Sequence, residues 1–441
     1  MKICVINGSP KGAYSITLQT VLYLQKRFED CEFQIINVGQ KIKSFERDMS
    51  EAVSAVEACD LLLFCYPVYT FITPYQLQRF IELLKSQNID LSQKYATQIT
   101  TSKHFYDFTA HRYIEQNCYD LKLKFIRGLS ADMDDLLCER GRSEALAFFK
   151  YVSFCVENSI FETCPKNDFD TRPEYVISLE NTEKSDGFDT VIVTNATATD
   201  TSLTLMIADF EAVYPYKTRV VNIAQYPFSG GCLGCFNCAS DGKCVYKDGF
   251  DSFLREEIQT ANAIVYAFTV KDHSMGASFK LYDDRQFCNG HRTVTMGMPI
   301  GYIANGNYAD ETNLQLIIEG RCEVGHNFLC GVASNAAEIQ KLSDRLCFAL
   351  ENKYVQPQNF LGVGGMKIFR DLIYLMRGLM KEDHRFYKQH GMYDFPQKKL
   401  GTVIKMKLVG ALASSKKLKS KLGNHMNEGM IAPYKKVIDA Q

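Results

Sequence analysis

Lys2-Ile3-Cys4-Val5-Ile6-Asn7-Gly8-Ser9-Pro10-Lys11-Gly12 opens the chain with a short apolar run that ends at a Gly/Ser/Pro loop. Leu18, Val21, Leu22, Leu24 and Phe28 then recur on one face of a helix. Strand, small-residue loop and helix in that order present backbone N–H groups and a helix N-terminus to a phosphate. Ser9, Ser15 and Thr17 add hydroxyl donors. The loop lacks the Gly-Lys-Ser/Thr ending of an ATP-binding P-loop. Taken alone, it is as much a common turn as a phosphate cradle.

Outward from that stretch the same rhythm continues. Further strands are expected at 33–38, 60–66, 95–100 and 124–128, with helices at 49–58, up to 85, 110–121 and 139–154. The third strand, Asp-Leu-Leu-Leu-Phe-Cys-Tyr, is apolar on both faces, as in a buried parallel sheet. Five strands alternating with helices predict a doubly wound α/β domain. Ligands bind such sheets at the C-terminal strand ends. There the sequence places Pro67-Val68-Tyr69-Thr70 and Thr101-Ser102-Lys103-His104.

After a polar segment with two prolines, the pattern repeats. Strands are expected at 190–195, 218–224, 263–268, 298–304 and 327–332, and helices at 202–213, 249–261 and 336–351. The domain plan is therefore 1–160, a linker at 161–188, a second sheet at 189–352 and a helical, basic extension at 353–441. Between the second strand and second helix of the repeat lies Cys232-Leu-Gly-Cys235-Phe-Asn-Cys238-Ala-Ser-Asp-Gly-Lys-Cys244, four thiols spaced C-x2-C-x2-C-x5-C. A 4Fe–4S cluster takes thiolates from such tight runs. Structural zinc more often uses two C-x2-C pairs held apart by a spacer. The spacing favours iron–sulfur, with zinc or an empty reduced loop as the alternatives. Cys4, Cys59, Cys65, Cys138, Cys155 and Cys347 read instead as small core hydrophobes.

Gly8-Ser9-Pro10-Lys11 with Ser15 and Thr17, followed by Pro67-Val68-Tyr69, resembles the flavodoxin-like NADPH-dependent FMN reductase family. The cysteine run after the second strand of the repeat resembles that family's iron–sulfur flavoprotein branch. The resemblance implies two tandem flavodoxin-like sheets. It implies that Ser9, Lys11, Ser15 and Thr17 hold an FMN phosphate, that Pro67, Val68, Tyr69 and Thr70 line the ring, and that Thr101, Ser102 and His104 close its other side. Cys232, Cys235, Cys238 and Cys244 would hold a 4Fe–4S cluster. The two halves are complementary. The leading one has no cysteine after its second strand, and the trailing one has Asn195-Ala196-Thr197-Ala198-Thr199-Asp200 as its first loop, where Asp200 would repel a phosphate. Its counterpart of the Pro-Val-Tyr loop is Phe268-Thr269-Val270-Lys271-Asp272-His273, so a second FMN is not expected. Tyr282-Asp283-Asp284-Arg285 is similar to the family's short post-loop helix and equally reads as a surface salt bridge.

The implied function is a redox flavoprotein that takes electrons from NAD(P)H and passes them between FMN and the cluster. The rivals are a non-enzymatic electron shuttle with the same cofactors, and a zinc-stabilised binding or regulatory protein. No acid–base residue is singled out, and His291 and His326 read as structural. A formal net charge of −1 over 441 residues gives no general reason to expect nucleic acid or membrane binding. The chain enters a strand at once and carries no apolar stretch of transmembrane length, which points to the cytoplasm. Gly362-Val363-Gly364-Gly365 reads as a loop ahead of a helix at 368–380. From Lys398 onward ten lysines face only Glu428 and Asp439. That run is a solvated face or a docking site for an acidic, ferredoxin-like carrier. A homodimer, with flavin and cluster meeting across it, is an open arrangement.

Overall fold

The computed structural model describes residues 1–163, 175–176 and 180–413. The chain forms two compact units, Met1–His384 and Arg385–Gln441. The first contains two parallel sheets. The leading sheet consists of β1 (Lys2–Asn7), β2 (Glu32–Ile36), β3 (Leu61–Pro67), β4 (Tyr95–Ser102), β5 (Lys124–Phe125) and β6 (Leu129–Asp132), in the order β2-β1-β3-β4-β5 with β6 also on β4. The expected fifth strand is thus two short ones. The trailing sheet is β7 (Ser185–Thr194), β8 (Tyr216–Asn222), β9 (Ala263–Thr269), β10 (Pro299–Asn305) and β11 (Phe328–Ala333), ordered β11-β10-β9-β7-β8. Read from the other edge this is the same 2-1-3-4-5 order, the flavodoxin-like arrangement. Every neighbouring pair is parallel, for example Ile3↔Leu61 and Thr190↔Ala263.

The apolar runs end up where their composition requires. Leu61 to Tyr66 and Ala263 to Phe268 are buried in the middle of their sheets. Helices cover both faces: α1 (Ile16–Gln25), α2 (Val38–Phe45), α3 (Ser50–Ala58), α4 (Tyr75–Ser86), α5 (Asp107–Asp120) and α6 (Glu139–Glu157) on the first. The second has α7 (Thr201–Val213), α8 (Asn237–Asp241), α9 (Phe250–Phe253), α10 (Gly276–Arg285), α11 (Thr312–Gly325) and α12 (Ala336–Glu351). The long helix expected at 249–261 is instead α9 followed by a π-helical turn at Leu254–Ile258.

The two sheets meet through α4 and α10 in a reciprocal contact. The Tyr75 amide at the start of α4 donates to Asp284 Oδ2 at the end of α10 (2.8 Å), and the Ala277 amide of α10 donates to Glu82 Oε1 of α4 (2.9 Å). Each carboxylate satisfies a helix N-terminus that burial would leave unpaired. This is the self-complementary contact of a two-fold dimer, made within one chain.

α13 (Phe360–Leu375) corrects the reading of 361–367 as a loop. Its glycines lie inside the helix because they face α11 at close range. A Cβ at Gly362 would stand 2.5 Å from the Glu323 carbonyl oxygen, and one at Gly365 2.7 Å from Val324 Cγ2. Packing thus outweighs the poor helix propensity of glycine. In the second unit a helix spans Leu400–Ala413 with Lys405 and Lys407 exposed. Residues 414–441 of the lysine-rich tail, and 164–174 and 177–179 of the linker at 161–188, lie outside the described residues. No helix among the described residues is long and apolar enough to cross a membrane.

Candidate functional site

The Asn7 side chain ties down the turn after β1: its amide donates to the Gly12 carbonyl (3.1 Å) and to Asn37 Oδ1 (2.8 Å), and its oxygen accepts from the Ser9 amide (3.2 Å). Ser15 caps α1 by accepting from the Leu18 amide (3.4 Å). The amides of Ile16 and Thr17, in the first helical turn, have no carbonyl of their own helix to pair with. Thr17 Oγ1 sits 2.6 Å from Thr101 Oγ1 at the end of β4. The turn, the helix N-terminus and the β4 end are thereby locked together before any ligand arrives.

The loop after β3 is strained. Thr70 and Phe71 both adopt left-handed backbone angles, φ 43° and 71°, which a non-glycine residue holds only when its surroundings enforce it. Those surroundings come from α10. Lys280, fully buried, donates to the Tyr69 carbonyl (3.1 Å), to Thr70 Oγ1, and to Asp283 (3.1 Å) and Asp284 (2.5 Å). Thr70 Oγ1 in turn donates to Asp284 Oδ1 (2.8 Å). Arg321 pairs with Asp283. Burial would raise the Asp283 carboxyl, yet the Arg321 and Lys280 charges hold it below its usual range. The expectation that 282–285 form a surface salt bridge is therefore wrong. These charges are core, and each is compensated by a partner from elsewhere in the chain.

One cavity of about 350 Å³ lies between the leading sheet's loops and the cysteine run. Ser9, Lys11, Ser15, Thr17, Pro67, Val68, Tyr69, Thr70, Thr101 and Ser102 line it, and so do Cys232, Cys235, Cys238 and Cys244. His104 does not. Its ring is half exposed and its Nδ1 lies 2.8 Å from Asp107. The two sets of residues meet within a single chain, so no second copy is needed to bring them together. Contact is close: Gly234 is left-handed (φ 61°), and a Cβ there would stand 2.0 Å from Tyr69 Oη. Lys11 Nζ stands 5.4 Å from the centroid of the Phe236 ring.

Residues that sequence reasoning missed complete the lining. Phe287, Cys288, His291 and Arg292 follow α10, and Ile368, Phe369 and Leu372 come from α13. Phe369 stacks on Phe105 at 4.2 Å and meets His291 edge-on at 5.0 Å. His291 Nδ1 is 2.9 Å from Asp383, which is fully buried and also receives Arg292 (2.9 Å).

The cysteine side of the cavity is tested by its own chemistry. Burial pushes the Cys238 thiol up to about 11, and Asp383 and Cys235 add to the rise. Burial also drives Cys232 far above its ordinary value. Cys238 Sγ donates to the Phe287 carbonyl (2.8 Å). Among the described residues no three Cys, His, Asp or Glu side chains converge closely enough to hold a metal ion. An iron–sulfide cube takes its thiolates from separate corners, so its ligands need not converge as those of one ion do. Cations stand ready to offset thiolate charge: Arg285 Nη2 is 4.0 Å from Cys244 Sγ, and Arg292 donates to the Cys238 carbonyl (3.1 Å). The Arg285 Nε–H is buried with no hydrogen-bond acceptor among the described residues. The donor set, its cations and that orphaned N–H fit a cluster.

Residues 1–124 match the family model of the NADPH-dependent FMN reductases. The match covers the leading sheet from β1 to the start of β5. An iron–sulfur flavoprotein of Clostridioides difficile (strain 630) is 21% identical over 188 residues, covering 38% of this chain and 83% of that protein. Solved structures similar to part of the chain include the NAD(P)H:quinone oxidoreductase of Methanothermobacter marburgensis, with 9% identity, a TM-score of 0.29, and 38% of this chain and 99% of that one covered. Another is an FMN-dependent NADH-azoreductase of Bacillus anthracis in complex with FMN, with 13% identity, a TM-score of 0.27, and 36% and 100% covered.

Proposed function

We propose that the protein is an NAD(P)H-dependent FMN oxidoreductase of the iron–sulfur flavoprotein type, with FMN in the leading domain (1–160) and a 4Fe–4S cluster in the trailing one (189–352). The observation that carries this is the shared cavity: the phosphate-type loop, the Pro67–Thr70 loop and all four cysteines of the run line one space. When bound, FMN accepts a hydride from a nicotinamide, and a 4Fe–4S cluster takes electrons one at a time. The chain's part is position and charge. Ser9, Lys11, Ser15 and Thr17, with the N-terminus of α1, hold the phosphate. Pro67, Val68, Tyr69, Thr70, Thr101 and Ser102 would line the ring, and Lys280 fixes the Tyr69–Thr70 backbone from behind. Cys232, Cys235, Cys238 and Cys244 hold the cluster across the same space. Phe105, Phe287 and Phe369 keep water out. An acidic carrier docking on the lysine-rich tail is the proposed onward acceptor.

The test is iron, sulfide, zinc and flavin analysis of anaerobically purified protein, followed by addition of NADH or NADPH. FMN with iron and sulfide, and rapid bleaching by one nicotinamide, are expected. Zinc in place of iron supports the regulatory alternative, and a flavin that neither nicotinamide bleaches supports a shuttle. Cys235→Ala is expected to lose iron–sulfur absorbance and keep flavin, and Ser9→Asp to do the reverse. Loss of both cofactors in either variant counts against separate sites.

A further inference from the structure

Arg285 ends α10 and is 1% exposed. Its Nη1 and Nη2 grip Asp248 as a fork, 2.8 Å to each carboxylate oxygen. Nη1 also donates to the Gly230 carbonyl (2.9 Å), two residues ahead of Cys232. The guanidinium lies 4.4 Å from the centroid of the Tyr246 ring and packs against Phe228 and Phe250. Burial would raise the Asp248 carboxyl, but hydrogen bonds from Arg285 and the Ser229 amide bring it down to about 2. The fork is therefore charged on both sides and cannot turn. Nη2 is left 4.0 Å from Cys244 Sγ, and Nε is buried without an acceptor among the described residues. An unsatisfied buried donor is destabilising, the more so when charged. Arg285 lines the same cavity as the four cysteines.

We propose that the Arg285 guanidinium donates hydrogen bonds to the sulfur atoms of a cluster held by Cys232, Cys235, Cys238 and Cys244, and thereby raises that cluster's reduction potential. The inference rests on the cluster reading above and adds what sets the cluster's behaviour. Reduction adds one electron and one negative charge, supplied by the nicotinamide-reduced flavin, with no proton taken up at Arg285. A fixed cation and N–H···S bonds favour the more negative state. Asp248 keeps the guanidinium in place and partly offsets its charge.

The test is an EPR-monitored redox titration of the anaerobically purified full chain, with the flavin transition as internal reference. Arg285→Lys keeps a charge for Asp248 but removes the planar fork. It is expected to lower the cluster's preference for its reduced form about tenfold, a potential about 59 mV lower for one electron. Asp248→Asn leaves the guanidinium uncompensated and is expected to shift the potential upward. A pair with only a structural role would not give shifts of opposite sign. An intact cluster whose potential is unmoved in both variants, or moves the same way in both, overturns this proposal and leaves the cluster reading standing. Wild-type protein with flavin and no iron overturns both. Should Arg285→Lys fail to hold a cluster, the sign of the Asp248→Asn shift decides alone.

Discussion

Residues 67–86 and 269–285 are one piece of structure used in two ways. In both halves the third strand runs into a loop with two successive left-handed residues, Thr70 and Phe71 (43° and 71°) against Asp272 and His273 (49° and 61°). Both loops are closed by an isolated bridge, Tyr69↔Ile72 against Lys271↔Ser274. Both lead to a helix capped by a carboxylate from the other half. The strained turn therefore belongs to the fold and is kept in a loop that does not line the cysteine-bearing cavity. The surroundings differ. Tyr69, Thr70 and Phe71 face the cavity and the cysteine run. Their counterparts are sealed by ion pairs: Lys271 with Glu82, Asp272 with Lys85, and His273 with Asp120 and Glu311. A cavity opens where the partner half brings up the cysteine run, and a closed seam where the loop itself is tied by ion pairs.

The sharpest break in the symmetry is Lys280, whose counterpart on α4 is Gln78. Among the described residues Gln78 receives only the Ser274 hydroxyl, at 3.2 Å. Lys280 holds two carboxylates and the Tyr69–Thr70 backbone in full burial. Removing one partner of a buried ion pair costs about 3–5 kcal/mol, because the other charges stay behind. Losing one neutral hydrogen bond costs about 1 kcal/mol. Lys280→Met is thus expected to lower stability several times more than Gln78→Met in urea denaturation. Equal losses would mean that the extra charges on the cavity side bring no extra stability.

A second measurement probes the sealed side. Burial would lower the His273 pKa, but Asp120 and Glu311 outweigh it and raise the value from 6.5 to about 9. Because the folded value is the higher one, the stabilisation is complete below about pH 6.5 and is lost as pH climbs towards 9. A rise of that size corresponds to about 3 kcal/mol. Melting temperature should fall across that window in the wild type and stay much flatter in His273→Gln. A wild-type profile as flat as the variant's would remove the seal from His273.

These contrasts mark where the sequence was readable. Strand and helix periods are local, so the alternation and the paired third strands could be read from apolar runs alone. The cysteine run could be read from spacing, and the phosphate-type loop from its small residues. Asp283, Asp284 and Arg285 could not be placed, because a charged run on a short helix looks like solvent-facing surface. Their burial is decided by partners such as Thr70, about two hundred residues away in sequence. The aromatics flanking the run, Phe279, Tyr282 and Phe287, were the only local sign of a buried helix. His291 and Arg292 depend in the same way on Asp383. His104 stands outside the cavity lining, with a left-handed backbone (φ 56°) and its ring bonded to Asp107, a contact its sequence neighbours did not signal.

The smallest effect is expected at the first loop of the trailing sheet. Asp200 Oδ2 accepts from the Thr197 amide (2.8 Å) and the Thr197 hydroxyl (2.6 Å). The loop thus brings its own anion to the place where the leading sheet presents amides for one. Asp200→Asn keeps the shape, weakens two charge-assisted bonds, and should cost about 1 kcal/mol. It should not create a second flavin site, because the ring-side loop of this half is closed by His273, Asp120 and Glu311. Flavin released per chain after saturation with FMN is expected to stay at that of the wild type. A doubling would show that one carboxylate alone had kept the trailing sheet from binding a nucleotide, and that the ion-pair seam is no barrier.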